Sequence, residues 1–185
     1  MNLIIFGESR CGKTTLANLI CCSSVGYSKI SCDYLIMALK NALPEAGIDF
    51  SNKEKFSKFL EAYLGALFNK EDACAISYVV EGGSLTYDLI LKLKELSNTK
   101  VICVGKPDLT PEDFFDEIRK YEYGLKTGGW TKRLNDETLM SWCTDWIKKS
   151  KKHKEFCEKN NIFYVNTSFN MIEKLYEVLG WLNKK

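Results

Sequence analysis

A three-layer α/β/α sandwich around a five-stranded parallel sheet is the architecture this sequence specifies, and three observations point to it. Five short apolar runs recur along the chain, segments with helical periodicity separate them, and several of the runs close on glycine. Short, continuously apolar strands are what a sheet buried on both faces requires. Alternation with helices makes the connections right-handed crossovers, which distribute the helices over both faces. The 185 residues, 45% hydrophobic, are expected to form one domain over 1–185 with a sizeable core.

The elements follow in order. Leu3 to Phe6 reads as a buried strand ending at Gly7. Residues 12 to 22 carry Leu16, Leu19 and Ile20 on one helical face. A short second strand is expected at 28–31 and a helix at 33–43, stopped by Pro44. Phe56, Leu60, Tyr63, Leu64 and Leu67 recur at helical spacing over 53–68. Ile76 to Val80 is the third strand, followed by Glu81-Gly82-Gly83, and Thr86 to Leu96 is helical. Val101 to Val104 is the fourth strand, closed by Gly105. Thr110 caps a helix opening at Pro111, whose face carries Phe114, Phe115, Ile118 and Tyr121. Residues 124–135 are rich in glycine and cations and lack periodicity, as a loop would. A long helix over 136–159, a fifth strand at Ile162 to Val165 and a final helix complete the chain.

Charge and cysteine content exclude some classes. Lys plus Arg number 26 against 24 Asp plus Glu, a net charge of +2 that predicts no nucleic-acid footprint. The basic run at Lys148 to Lys154 lies on the long helix and reads as a solvated face, with His153 exposed inside it. Trp130, Trp142, Trp146 and Trp181 are assigned to packing, with Trp130 in the loop free to meet a substrate. No stretch approaches the ~20 apolar residues of a membrane span. The eight cysteines form no C-x-x-C pair, so a cytoplasmic protein with reduced thiols is expected, with Cys74 and Cys103 in the core.

The chemistry is concentrated at residues 7 to 15, Gly7, Glu8, Ser9, Arg10, Cys11, Gly12, Lys13, Thr14 and Thr15. The pattern G-x-x-x-x-G-K-[ST] falls between a strand and a helix, the context that makes it a phosphate-binding loop. Glycines let the backbone wrap phosphate oxygens, and the amides and the helix N-terminus supply positive potential. Lys13 neutralises charge on the β and γ phosphates, and Thr14 offers a hydroxyl to magnesium. These residues therefore predict binding of ATP or GTP with Mg2+. Cys11 stands where Ser or Ala would also fit. Asp33 follows the second strand at the C-terminal edge of the sheet, where open α/β folds bind ligands. It can serve as a base toward an acceptor hydroxyl, or merely cap the helix it opens. Glu81 ends the third strand, where it supports magnesium or its waters; otherwise it is an exposed turn residue.

The stretches GESRCGKTT at 7–15, ISCD at 30–33 and VVEGG at 79–83 resemble the P-loop small-molecule kinases, a group with nucleoside, nucleotide and shikimate kinases. The order of elements extends that resemblance over nearly the whole chain. Arg10 occupies a position often held by glycine in the family. The resemblance implies the P-loop NTPase fold and transfer of the γ-phosphate of ATP to a small-molecule acceptor. Ser31-Cys32-Asp33 matches the S-x-D of the uridine-kinase group, where the aspartate faces the acceptor hydroxyl. It also implies a lid in the interval holding 124–135, with Arg119 and Arg133 as cations for the transferred phosphoryl group. Arg119 can instead pair with Glu122 or Asp116 on its own helix. Adenine is expected near Asn166 to Phe169.

Two other functions remain open from sequence. Gly105-Lys106-Pro107-Asp108 matches three of four positions of the guanine signature N-K-x-D, as a GTPase switch would need, although no D-x-x-G follows strand three. The third reading is an ATPase module of a larger assembly.

Overall fold

The computed structural model describes residues 1–24, 26–68, 76–125 and 129–182. The expected place of Cys74 in the core and the centre of the 124–135 loop, at 126–128, lie outside these residues. Five strands, β1 Asn2–Phe6, β2 Tyr27–Ser31, β3 Ser77–Gly82, β4 Thr99–Gly105 and β5 Phe163–Asn166, form one sheet in the order β2-β3-β1-β4-β5. Every pairing is parallel. The helices are α1 Lys13–Ser23, α2 Cys32–Ala42, α3 Lys53–Phe68, α4 Tyr87–Lys94, α5 Pro111–Tyr123, α6 Asp136–Lys159 and α7 Met171–Leu182. Short 3-10 turns lie at Pro44–Ala46 and Trp130–Arg133.

The strands show the alternation that a doubly covered sheet demands. Leu3 and Ile5 of β1, Val79 of β3, and Ile102 and Val104 of β4 enter one hydrophobic cluster with α1, α5, α7 and the first half of α6. Ile4, Phe6, Val80, Val101 and Cys103 enter the other, with α2, α3, α4 and Cys157 of α6. Side chains of period two thus supply both faces, while each helix supplies a stripe of period 3.6. The expected three-layer α/β fold with a five-stranded parallel sheet is what the chain adopts.

The boundaries shift at two instructive places. β3 runs through Glu81 and Gly82 instead of ending at Val80, because Glu81 pairs in register with Ile5 of β1 and Ser31 of β2. That register gathers the ends of β1, β2 and β3 at one edge. Helix α2 starts at Cys32, with Ser31 in the cap position and Asp33 inside the first turn. Thr110 caps α5 as expected, its hydroxyl accepting from the Asp113 amide at 3.1 Å.

Two glycines test the backbone account in opposite directions. Gly7 has φ +140, and a Cβ there would meet the Val104 carbonyl oxygen at 1.9 Å, so Gly7→Ala is expected to cost at least about 2 kcal/mol. Gly65 lies inside α3 with nothing within 4 Å of an added Cβ, so Gly65→Ala should stabilise by roughly 0.5–1 kcal/mol. Thermal melts of the two variants measure both; equal midpoints for them would overturn the reading.

Candidate functional site

The loop after β1 wraps back into α1 through three left-handed residues, Gly7 (φ 140), Arg10 (φ 61) and Gly12 (φ 99). Arg10 thus adopts a backbone conformation that glycine occupies more readily. Around this loop lies a cavity of about 260 Å³, lined by Ser9, Arg10, Gly12, Lys13, Thr14 and Thr15, by Asp33, and by Glu117, Ile118, Tyr121, Trp130 and Met171. The Lys13 ammonium is nearly buried and donates to the Glu8 carbonyl at 2.7 Å.

Thr14 donates from its hydroxyl to the Glu81 carboxylate at 3.2 Å. Glu81 is 2% exposed, which removes the exposed-turn alternative. A hydroxyl and a buried carboxylate beside a phosphate loop are the hard oxygen donors that Mg2+ takes, with room left for water and phosphate ligands. The residues present therefore fit that ion. Asp33 lines the same cavity. Its surface is open to solvent on the outside, yet the protein mass around it still desolvates its carboxyl. That burial raises its pKa, Lys13 opposes the rise and Glu81 adds to it. Ser31, not Asp33, holds the cap position of α2, and Asp33 makes no capping bond; its charge in the first turn favours the helix dipole.

The rest of the loop points elsewhere. Cys11 is fully buried, its thiol beside the Ser9 carbonyl and the Ser150 hydroxyl, and burial pushes its pKa up. The thiol is a packing group in an unreactive state. Glu8 turns its carboxylate toward α6, where it accepts from His153 Nε2 at 3.1 Å, and His153 Nδ1 shares a hydrogen bond with the Tyr87 hydroxyl at 2.8 Å. His153 was expected on the exposed basic face, and the structure corrects this. The inward stripe of α6, Cys143, Trp146, Ile147, Ser150 and Cys157, continues through it, while the neighbouring lysines remain in solvent. That helical spacing was the signal available in the sequence. Burial opposes ionisation of Glu8, but the His153 hydrogen bond and the charges of Lys149 and Lys53 outweigh it and hold the carboxyl below its usual range.

The arginines separate clearly. Arg10 lines the cavity. Arg119 bonds Asp136 and the Thr131 and Leu134 carbonyls and pairs with Glu122 at 3.6 Å, outside the cavity lining. Arg133 is exposed on the 3-10 turn and is also no part of the lining. Thr167 is a further buried contributor, its hydroxyl donating to the Cys11 carbonyl at 2.9 Å and so bracing the loop from below.

The guanine-like stretch is occupied with internal contacts. Lys106 is buried and paired with Glu117, and Asp108 accepts from the Asn166 side-chain amide at 2.6 Å. Asn166 and Phe169 line a separate depression with Phe163 and Val178.

No protein-family model and no curated protein matches this chain. Solved structures do. A shikimate kinase from Bacteroides thetaiotaomicron matches with a TM-score of 0.63 at 15% identity, over 98% of each chain. A gluconokinase from Sinorhizobium meliloti 1021 matches with 0.58 at 14% identity, over 98% of this chain and 90% of its own. At such identity the likeness shows the fold alone, a parallel α/β fold that this chain shares with those two proteins. No helix among the described residues is long and apolar enough to cross a membrane.

Glu8 and Asp33 are shifted in opposite directions and predict opposite pH signatures in metal-free protein. Glu8, depressed from 4.5, stabilises the fold above that pH and loses the contribution as pH falls through its folded value. Glu8→Gln should therefore cost stability near neutral pH and cost less in acid. Asp33, raised from 3.8, binds its proton more tightly in the folded state, so its ionisation at higher pH destabilises. Asp33→Asn should match or exceed wild-type stability near neutral pH, with any gain fading in acid. Urea midpoints at pH 7 and pH 3.5 decide; the same sign for both variants would contradict these environments.

Proposed function

We propose that this chain is an ATP-dependent kinase that moves a γ-phosphoryl group to a hydroxyl or phosphate acceptor on a small molecule. The observation that carries the reading is the convergence of Lys13, Thr14 and Asp33 at one cavity on the C-terminal edge of the sheet, with the buried Glu81 carboxylate bonded to Thr14. The fold shared with two small-molecule kinases supports it.

Each residue then has one task. The amides of residues 8 to 15 and the start of α1 receive the phosphate oxygens. Lys13 leaves the Glu8 carbonyl to neutralise the β and γ phosphates. Thr14 and Glu81 would hold Mg2+, which would supply positive charge against the β and γ oxygens. Asp33 takes the proton of the acceptor hydroxyl as its oxygen bonds to the γ-phosphorus and the bridging oxygen departs with ADP. A carboxyl with a raised pKa is a stronger base for this step than a relaxed one. Tyr121, Trp130, Ile118 and Met171 offer the apolar wall on which the base packs, in place of the expected Asn166 to Phe169, since Asn166 and Phe169 line a separate depression. The internal pairing of Asp108 and Lys106 speaks against a guanine-reading switch.

Lys13→Ala should abolish triphosphate binding measured by calorimetry while leaving the thermal midpoint near wild type. Asp33→Asn should retain ATP binding and lower transfer by roughly a hundredfold or more. Asp108→Ala should leave the preference for ATP over GTP unchanged. The acceptor is found by an ATP-consumption screen against nucleosides, nucleotides, sugars and polyols. Normal transfer by Asp33→Asn would send the search for the base to Glu81. GTP preference abolished by Asp108→Ala would replace the kinase with a GTPase.

A further inference from the structure

Arg10 is strained and charged where the loop pattern favours a neutral glycine. Its φ of 61 places a large side chain in the left-handed region, which non-glycine residues occupy rarely and at a cost. Such a residue persists when its surroundings over-determine it, and such outliers cluster at functional sites. The surroundings of Arg10 do over-determine it. Its Nη2 donates to Glu122 Oε1 at 2.7 Å and to the Thr131 hydroxyl. The guanidinium carbon lies 5.8 and 5.7 Å from the ring centroids of Tyr121 and Trp130. Gly129 packs so close that a Cβ there would lie 2.4 Å from Nη2.

Glu122 is the anchor. It is 1% exposed, takes Arg10 and Thr131 on Oε1, and faces Arg119 with Oε2. A carboxylate taken that far out of water needs cationic partners, and the chain supplies one from the phosphate loop and one from its own helix.

This arrangement leaves the guanidinium only partly used. A guanidinium carries five N–H donors in a planar fork suited to phosphate. Among the described residues the side-chain hydrogen bonds of Arg10 run through Nη2, and its Nε is buried without a hydrogen-bond partner. The side chain lines the same cavity as Lys13 and Thr14, whereas Arg119 and Arg133 do not.

We propose that Arg10 is the arginine of the phosphate site, and that Glu122 and Thr131 are positioning residues that hold its guanidinium toward a bound triphosphate. The loop thereby supplies from within itself the cation that a moving segment would otherwise bring. This rests on the reading of the cavity as a nucleoside-triphosphate site. Planar recognition of phosphate oxygens explains why an arginine stands here in spite of the backbone cost. A strap to Glu122 would use its charge, but would not require its remaining donors or its place in the cavity. The charge of Glu122 limits how far Arg10 can swing, so the fork is oriented before the phosphates arrive.

The test is a calorimetric titration, with Mg2+ present, of wild type, Arg10→Gly, Arg10→Lys and Glu122→Gln with a non-hydrolysable ATP analogue, ADP and AMP. Arg10→Gly relaxes the left-handed backbone and removes the fork. It is expected to lose about tenfold or more in affinity for the triphosphate, less for ADP and little for AMP. Guanidinium ion at a low, non-denaturing concentration should restore part of the triphosphate affinity to Arg10→Gly and none to Lys13→Ala. Glu122→Gln should show a smaller loss in the same order. Arg10→Lys, which keeps the charge, should fall between wild type and Arg10→Gly, and it serves as the reference if Arg10→Gly does not fold. Unchanged triphosphate affinity in the Arg10 variants, or equal losses for all three nucleotides, would reduce Arg10 to a structural strap. Wild-type protein that binds none of the three would overturn the triphosphate reading itself, and this proposal with it.

Discussion

The approach of the β1–α1 turn to the β4 backbone is the constraint on which the rest of the site depends. Gly7 lies against the Val104 carbonyl at a distance no side chain permits. From there the chain can turn through Gly12 and present its amides above the sheet instead of running on as a strand. β1 sits at the centre of the sheet, with β3 on one side and β4 on the other. The turn therefore leaves the sheet where crossover helices depart to opposite faces, opening a crevice at its C-terminal edge. Glu81, one residue before the end of β3, and Asp33, in the first turn of α2 after β2, reach it because β2 and β3 pair in register beside β1.

Local pattern was enough to read most of the fold. The apolar runs, Pro111 behind Thr110, and the helical spacing of Phe56, Leu60 and Leu64 each report on a few consecutive residues, and burial agrees with them. The loop at 7–15 was legible because its chemistry demands glycines and a lysine at fixed spacing. The partners of that loop were not. Arg10 meets Glu122 and Thr131 across more than a hundred residues of chain, and Glu8 meets His153 likewise. A lysine-rich stretch hides an inward histidine because charge density reports the outer face of a helix and says nothing of its inner one. Asp33 and Glu81 changed character for a similar reason: cap against first turn, and exposed turn against buried strand, differ by one or two residues of register that only pairing decides.

The loop is braced on more than one side. Thr167, after β5, holds the Cys11 carbonyl from below. The α6 histidine holds Glu8, and the segment after α5 holds Arg10. These supports come from separate elements, so the loop is tied to both helical layers and not to the sheet alone. In the same way Lys13 and Thr14 have internal partners, the Glu8 carbonyl and the Glu81 carboxylate. Ligand binding is then an exchange of one set of polar contacts for another.

Helix α6 also bears on how the molecule comes apart. Over its 24 residues it lays Leu139, Cys143, Trp146 and Ile147 into one hydrophobic cluster and Cys157 into the other. Among the described helices it alone contributes buried residues to both. Neither layer can open widely without pulling on a rod anchored in its counterpart, which couples the two halves into one cooperative unit. Amides in the middle of that rod would exchange with solvent chiefly through global unfolding, while the outer turns of α2 and α7 are free to fray on their own.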